Sequence, residues 1–133
     1  MSITRLDHVV LAVDGIAAAA EAWARAFDLR ATPPEQPAGT HMELAFLQLD
    51  NSFLELVRAT EPGHSVAQHV AEHGEGMFSV SLEVDDLADA VAELRARGVE
   101  VSDPEPGVLP DTRVARIPRG SAHGVAVQLI QRR

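Results

Sequence analysis

The chain has no cysteine. Disulfide cross-links, thiolate nucleophiles and cysteine-ligated zinc are therefore excluded, and residence in a reducing compartment, the cytoplasm, is expected. Tyrosine is also missing and aromatic residues make up only 4% of the 133 positions, so the core has to be built from Val, Leu, Ile and Ala. No stretch comes near the roughly 18 uninterrupted apolar residues that cross a bilayer. Met1 to Leu6 also lacks the basic-then-apolar order of an export signal, so neither a membrane partner nor export is expected. Positive charge is scarce: 11 basic residues stand against 20 acidic ones, a formal net charge of -9. Nucleic-acid binding rests on clustered cations that displace counterions from phosphate, so the balance argues against a nucleic-acid partner. The basic groupings near a loop or an end are Arg113, Arg116 and Arg119, and Arg132 with Arg133. They read as solvated charge or as contacts for an anionic small molecule.

An internal repeat organises what is present. Leu6 to Asp14 lies over Met77 to Asp85 with an offset of 71, and apolar and acidic positions coincide along most of the run. Each segment is β-branched or aliphatic, ends in an acidic residue and then changes to helical spacing. The first helix is expected over Ile16 to Phe27, with Ile16, Ala19, Ala20, Trp23 and Phe27 on one stripe; Leu87, Ala90, Val91 and Leu94 form its counterpart. Asp14 and Asp85 are placed to cap the helix amides, and Gly98 to stop the second helix. Pro33 to Gly39 and Pro104 to Pro110 read as loops.

Two more strands follow in each half. They are expected at His41 to Leu49 and Ser52 to Ala59, turning at Asp50-Asn51, and at Arg113 to Ile117 and Val125 to Gln131. Phe53 to Val57 lies over Ala126 to Ile130, here with an offset of 73. Val66 to His73 has helical character and reads as part of a connector. The chain is thus expected to be one α+β domain, 1–133, with a first βαβββ module at about 4–60, a connector at about 61–75 and a second module at about 76–133. Pairing of the modules would close their bare sheet faces into a shared, cleft-bearing, half-open barrel, the natural place for a small-molecule ligand.

Strand alternation selects what lines that cleft. Val9, Leu11 and Val13 claim the helix side, which turns His8 inward; Leu54 and Leu56 do the same for Phe53, Glu55 and Val57, and Val127 and Leu129 for Gln128. Ser79 and Ser81 face the same hollow by equivalence, so the repeat pairs His8 with Ser79 and Glu55 with Gln128. A carboxyl and an imidazole are costly to bury in an apolar sheet unless they bond to each other, to a metal or to a ligand.

Four segments in order carry a family likeness: Leu6 to Val13, Phe53 to Val57, Gly74-Glu75-Gly76 before the strand ending Glu83 to Leu87, and His123 to Leu129. Together they resemble the vicinal oxygen chelate superfamily, which includes glyoxalase I, extradiol dioxygenases, fosfomycin-resistance enzymes, bleomycin-binding proteins and methylmalonyl-CoA epimerase. The likeness is nearest to the epimerase-like members, through Ser65 to Gly76. It implies a divalent metal, cobalt, nickel, zinc or manganese, held by His8, Glu55 and Gln128. Because Ser79 and Gln128 stand where the family usually has His and Glu, that metal is expected to be weakly held or absent.

The resemblance further implies an isomerase or lyase that abstracts a proton beside the carbonyl of a small compound or acyl-CoA. Glu43 would be the base, with Ser79, Ser81, Phe53 and His123 around the substrate. Two other classes share the cleft: a metal-free binding protein of the bleomycin-resistance type, and a metal-independent enzyme using His8 and Glu55 as acid and base. A homodimer is expected by analogy.

Overall fold

The computed structural model describes residues 1–133. In chain order the elements are β1 (Ile3–Ala12), α1 (Ile16–Phe27), β2 (Met42–Gln48), β3 (Phe53–Ala59), α2 (Ser65–His73), β4 (Gly76–Val84), α3 (Leu87–Ala96), β5 (Glu105–Pro106), β6 (Thr112–Ile117) and β7 (Val127–Arg132), with a 3-10 turn at Arg119–Ser121. No helix is long and apolar enough to cross a membrane. Two compact units emerge, Val9–Phe78 and Met1–His8 with Ser79–Arg133. The leading strands β1 and β4 contribute residues to both, and residues 61–75 fall within Val9–Phe78.

In the unit Val9–Phe78 the strand order is β2-β3-β1. The β2–β3 hairpin turns at Asp50-Asn51 as its sequence predicts, closed by the Leu49 amide on the Ser52 carbonyl at 2.9 Å. The loop after α1 is not structureless: Glu35 forms a two-bond bridge to Leu44, both at 2.8 Å, and so shields the outer edge of β2. Alternation sorts the hairpin into two faces. Ala45, Leu47 and Leu56 join Val13 and Ile16 in one core, with Leu11, Leu54, Ala19 and Trp23 packed against it. Leu44 and Val57 join Val10, Ala12 and the α2 residue Val66 in another. The connector helix therefore does more than connect, because it roofs part of the face opposite α1.

Asp14 does not cap α1. Gly15 occupies that position without a side-chain bond, and the Asp14 backbone amide donates instead to the Glu75 carboxylate at 2.8 Å. The helix ends at Asp28, whose left-handed φ of 55° does the work a glycine usually does.

In the other unit the order is β1-β4-β7-β6-β5, with β4 and β7 parallel and β5–β6–β7 antiparallel. The α3 stripe Leu87, Ala90 and Val91 packs on Val84, Ala115, Ile117 and Leu129, as its spacing predicts. Its cap is Asp86, which accepts from the Asp89 amide at 3.0 Å. Asp85, the expected cap, sits one residue too early and accepts from the amides of Ser2 and Asp86. Gly98 stops the helix at φ 80°, with the Val99 amide bonded to the Leu94 carbonyl at 2.9 Å.

Part of the Pro104–Pro110 loop is strand β5, which Val114 and Arg113 pair. The turn after it requires Gly107, since a Cβ there would run into the Thr112 side chain. Strand β7 begins at Val127 rather than Val125, because the Val125 amide is spent on the Ala122 carbonyl in the preceding turn.

Candidate functional site

The expected site residues divide between the two units. In the second, alternation brings Ser81 on β4 opposite Gln128 on β7, where the strands are in register. The Gln128 amide nitrogen donates to Ser81 Oγ at 2.9 Å, and Ser81 Oγ lies 3.1 Å from His8 Nε2. On its other side, His8 Nδ1 is 2.7 Å from Asp7 Oδ2. Arg132 closes the series with two arms on that carboxylate, Nε on Oδ1 at 2.6 Å and Nη2 on Oδ2 at 2.9 Å. Asp7 and His8 are 2% exposed and Ser81 0%, so the middle of the relay is shut off from water, while Arg132 at its end is 36% exposed.

The protonation states follow from these contacts. Burial works to raise the Asp7 pKa, but the hydrogen bonds from Arg132 and His8 and the Arg132 charge outweigh it and hold the carboxyl below its ordinary range. Burial is the largest influence on His8 and lowers its pKa despite Asp7, which leaves a neutral imidazole near pH 7. An ionised Asp7 only accepts, so Nδ1 carries the imidazole hydrogen and Nε2 accepts from Ser81. Ser81 then accepts from Gln128.

In the unit Val9–Phe78, Glu55 on β3 is opposite Phe46 on β2 and lies on the face away from α1, with Leu44 and Val57. It is 9% exposed, and burial pushes its carboxyl up to about 7. Phe53 is on the same face, its ring edge-to-face with Phe46 at 5.5 Å.

The same alternation places Glu43. It shares its face with Ala45 and Leu47, which pack toward α1, and its carboxylate is 3.1 Å from Arg58 Nε. The odd-numbered register that buries Ala45 and Leu47 thus carries Glu43 to the opposite side of the hairpin from Glu55. Ser79 is half-buried, two residues before Ser81 and on the same face of β4, but it is Ser81 that engages His8 and Gln128. His123 lies exposed in the turn before β7 with a left-handed φ of 54°.

Two relay members, Asp7 and Arg132, escape a reading by alternation. Asp7 precedes His8 on a strand, where neighbours point apart, and Arg132 looks like terminal surface charge. Their only signal is the pair Asp7-His8 itself, an acid beside an imidazole.

The metal implied by the resemblance finds a poor fit around His8. Its Nε2 already takes the Ser81 proton, both Asp7 oxygens are held by Arg132, and Ser81 and Gln128 are neutral donors. No cluster of three or more His, Asp or Glu side chains is placed to hold a metal ion.

Strands in mixed parallel and antiparallel pairing with three helices define an α+β class of protein. Within that class, the chain belongs to the glyoxalase/bleomycin resistance protein/dioxygenase superfamily, whose sequence profile matches residues 7–115. Among solved structures, it is similar to a variant of Streptomyces coelicolor methylmalonyl-CoA epimerase in complex with 2-nitronate-propionyl-CoA. That match has a TM-score of 0.89 at 24% identity over 98% of this chain and 96% of the other. The Mycobacterium tuberculosis methylmalonyl-CoA epimerase matches with a TM-score of 0.87 at 22% identity, over 98% and 89%. A hypothetical protein from Bacillus halodurans matches with a TM-score of 0.88 at 24% identity, over 97% and 94%. The fold is therefore the vicinal oxygen chelate fold that the resemblance implied.

Proposed function

We propose that the protein is an isomerase or lyase, epimerase-like in its chemistry, that moves a proton on the carbon beside the carbonyl of a small compound or acyl-CoA, with Glu55 exchanging the proton. The observation that carries this reading is the position of Glu55: a carboxyl withdrawn from water on the hairpin face that α1 leaves uncovered. An acid–base group is most effective when its pKa lies near the working pH, and burial moves Glu55 to about 7. Family membership supports the class, and one similar solved structure is a methylmalonyl-CoA epimerase in complex with methylmalonyl-CoA and NH4+. A homodimer belongs to the same proposal and is tested by light scattering.

Glu43, bound to Arg58 on the other face, is left out of the chemistry. That same observation favours a second reading, a binding protein of the bleomycin-resistance type, because the base expected from the resemblance faces away from Glu55. Deuterium wash-in decides. The protein is incubated in D2O with methylmalonyl-CoA, propionyl-CoA and a panel of small hydroxyketones, and isotope uptake is followed by mass spectrometry. Exchange that falls about 100-fold or more in Glu55→Gln supports the enzyme. Binding of any of these compounds, seen by calorimetry, without exchange of its carbon-bound hydrogen establishes the binding protein.

A further inference from the structure

The relay around His8 closes its own proton account. Asp7 is gripped by both arms of Arg132, so its carboxylate can only accept, and it accepts from His8 Nδ1. That leaves the Nε2 lone pair facing Ser81 Oγ, whose one hydrogen goes to it, and the Ser81 oxygen then accepts from the Gln128 amide. One ordering satisfies these contacts, and no buried side-chain nitrogen or oxygen in the chain lacks a partner.

A metal-binding histidine normally presents one nitrogen to the ion and gives the other to a carboxylate. The carboxylate half of that arrangement is here, as Asp7. The ion's half is taken. To admit a cation at Nε2, the Ser81 hydroxyl would have to turn away and lose its acceptor inside protein that is 0% exposed at that residue. Gln128 would have to reverse its amide to offer that hydroxyl a new acceptor, withdrawing the hydrogen it now donates to the Ser81 oxygen. Charge argues the same way: Arg132 offsets Asp7, and His8, Ser81 and Gln128 are themselves neutral.

We infer that Ser81 occupies the metal-binding nitrogen of His8, and that Arg132, acting through Asp7, is the positioning residue that fixes the direction of this metal-free relay. The inference concerns the wiring of His8 and stands apart from the proton chemistry assigned to Glu55.

Ring-nitrogen NMR of the uniformly 15N-labelled full chain tests it, with cobalt(II) chloride as the probe. The expected result is His8 in the Nδ1–H tautomer, with resonances unmoved by excess cobalt(II). Ser81→Ala, which frees Nε2, makes the His8 signals broaden with cobalt(II). Arg132→Gln shifts the ring toward the Nε2–H tautomer, and Arg132→Lys restores part of the parent population. Cobalt broadening confined to exposed His41 or His73 supports the inference, since His8 is then untouched. Stoichiometric cobalt that broadens His8 in the parent protein overturns it, as does a dominant Nε2–H tautomer there. Amide dispersion reports whether each variant folds; where one does not, the parent's tautomer and cobalt response decide alone.

Discussion

Glu43 and Glu55 lie on one β-hairpin, on opposite faces. Register sets Glu43 across from Arg58 and Glu55 across from Phe46, so one carboxylate has a guanidinium and the other an aromatic ring for a cross-strand neighbour. Two acids of the same type thus acquire different chemistry from strand parity alone.

Activity should divide the two residues sharply. Glu55→Gln is expected to lower turnover by about 100-fold or more, the scale of a lost acid–base group. Glu43→Gln breaks only a partly exposed ion pair, worth about 0–1 kcal/mol to stability, and should leave turnover within about threefold. Steady-state rates on whichever thioester or ketone shows exchange check both; equal losses would mean that hairpin integrity, not Glu55, was being measured.

Glu55 also makes stability depend on pH. Its folded pKa is raised from 4.5 to about 7, so between those values the folded protein keeps a proton that the unfolded chain has released. Stability from this group is full below about 4.5 and declines as pH rises to about 7, by on the order of 3 kcal/mol in total. Urea unfolding across this range should show that slope in the parent and its absence in Glu55→Gln. A parent whose slope matches the variant's would place the carboxyl back in water.

Removing the clamp on Asp7 exposes the cost of a buried charge. Arg132→Gln leaves the Asp7 carboxylate without its cation and should destabilise the protein by about 1–3 kcal/mol. The figure is discounted because the arginine side chain is itself 36% exposed. Adding Asp7→Asn removes the stranded charge and should recover part of the loss. In the parent, the Asp7 contribution is present near neutral pH and fades as pH falls through its lowered folded pKa. A double-mutant cycle by chemical denaturation measures the coupling, and strict additivity would rule out the clamp.

Helix α3 offers a cleaner local test. Asp86→Ala removes the oxygen that accepts from the Asp89 amide and should cost about 1 kcal/mol. Asp14→Ala, next to a helix capped without any side chain, should change stability by less than about 0.5 kcal/mol. Thermal melts of both variants should separate them; reversal of the order would return the cap to the position the repeat suggests.

The repeat and the two apolar faces are legible because they rest on parity. Leu54 and Leu56 do pack toward α1 and Glu55 does take the other side. The same rule, followed one strand earlier, already puts Glu43 with Ala45 and Leu47, and its role as base came from the family likeness alone. What parity cannot convey is a contact between chain neighbours or across great separation. Asp7 bonds to the residue beside it, and Arg132 reaches it over 125 positions. The roof formed by α2 was hidden for a related reason: Val66 and Val70 show an apolar side but not which sheet surface receives it.

All five members of the relay belong to the unit Met1–His8 with Ser79–Arg133. Hydrogen bonds over 73 and 125 positions thus tie the first strand to the fourth and the last, and a chain shortened at either end would lose the order of protons at His8 together with its strand.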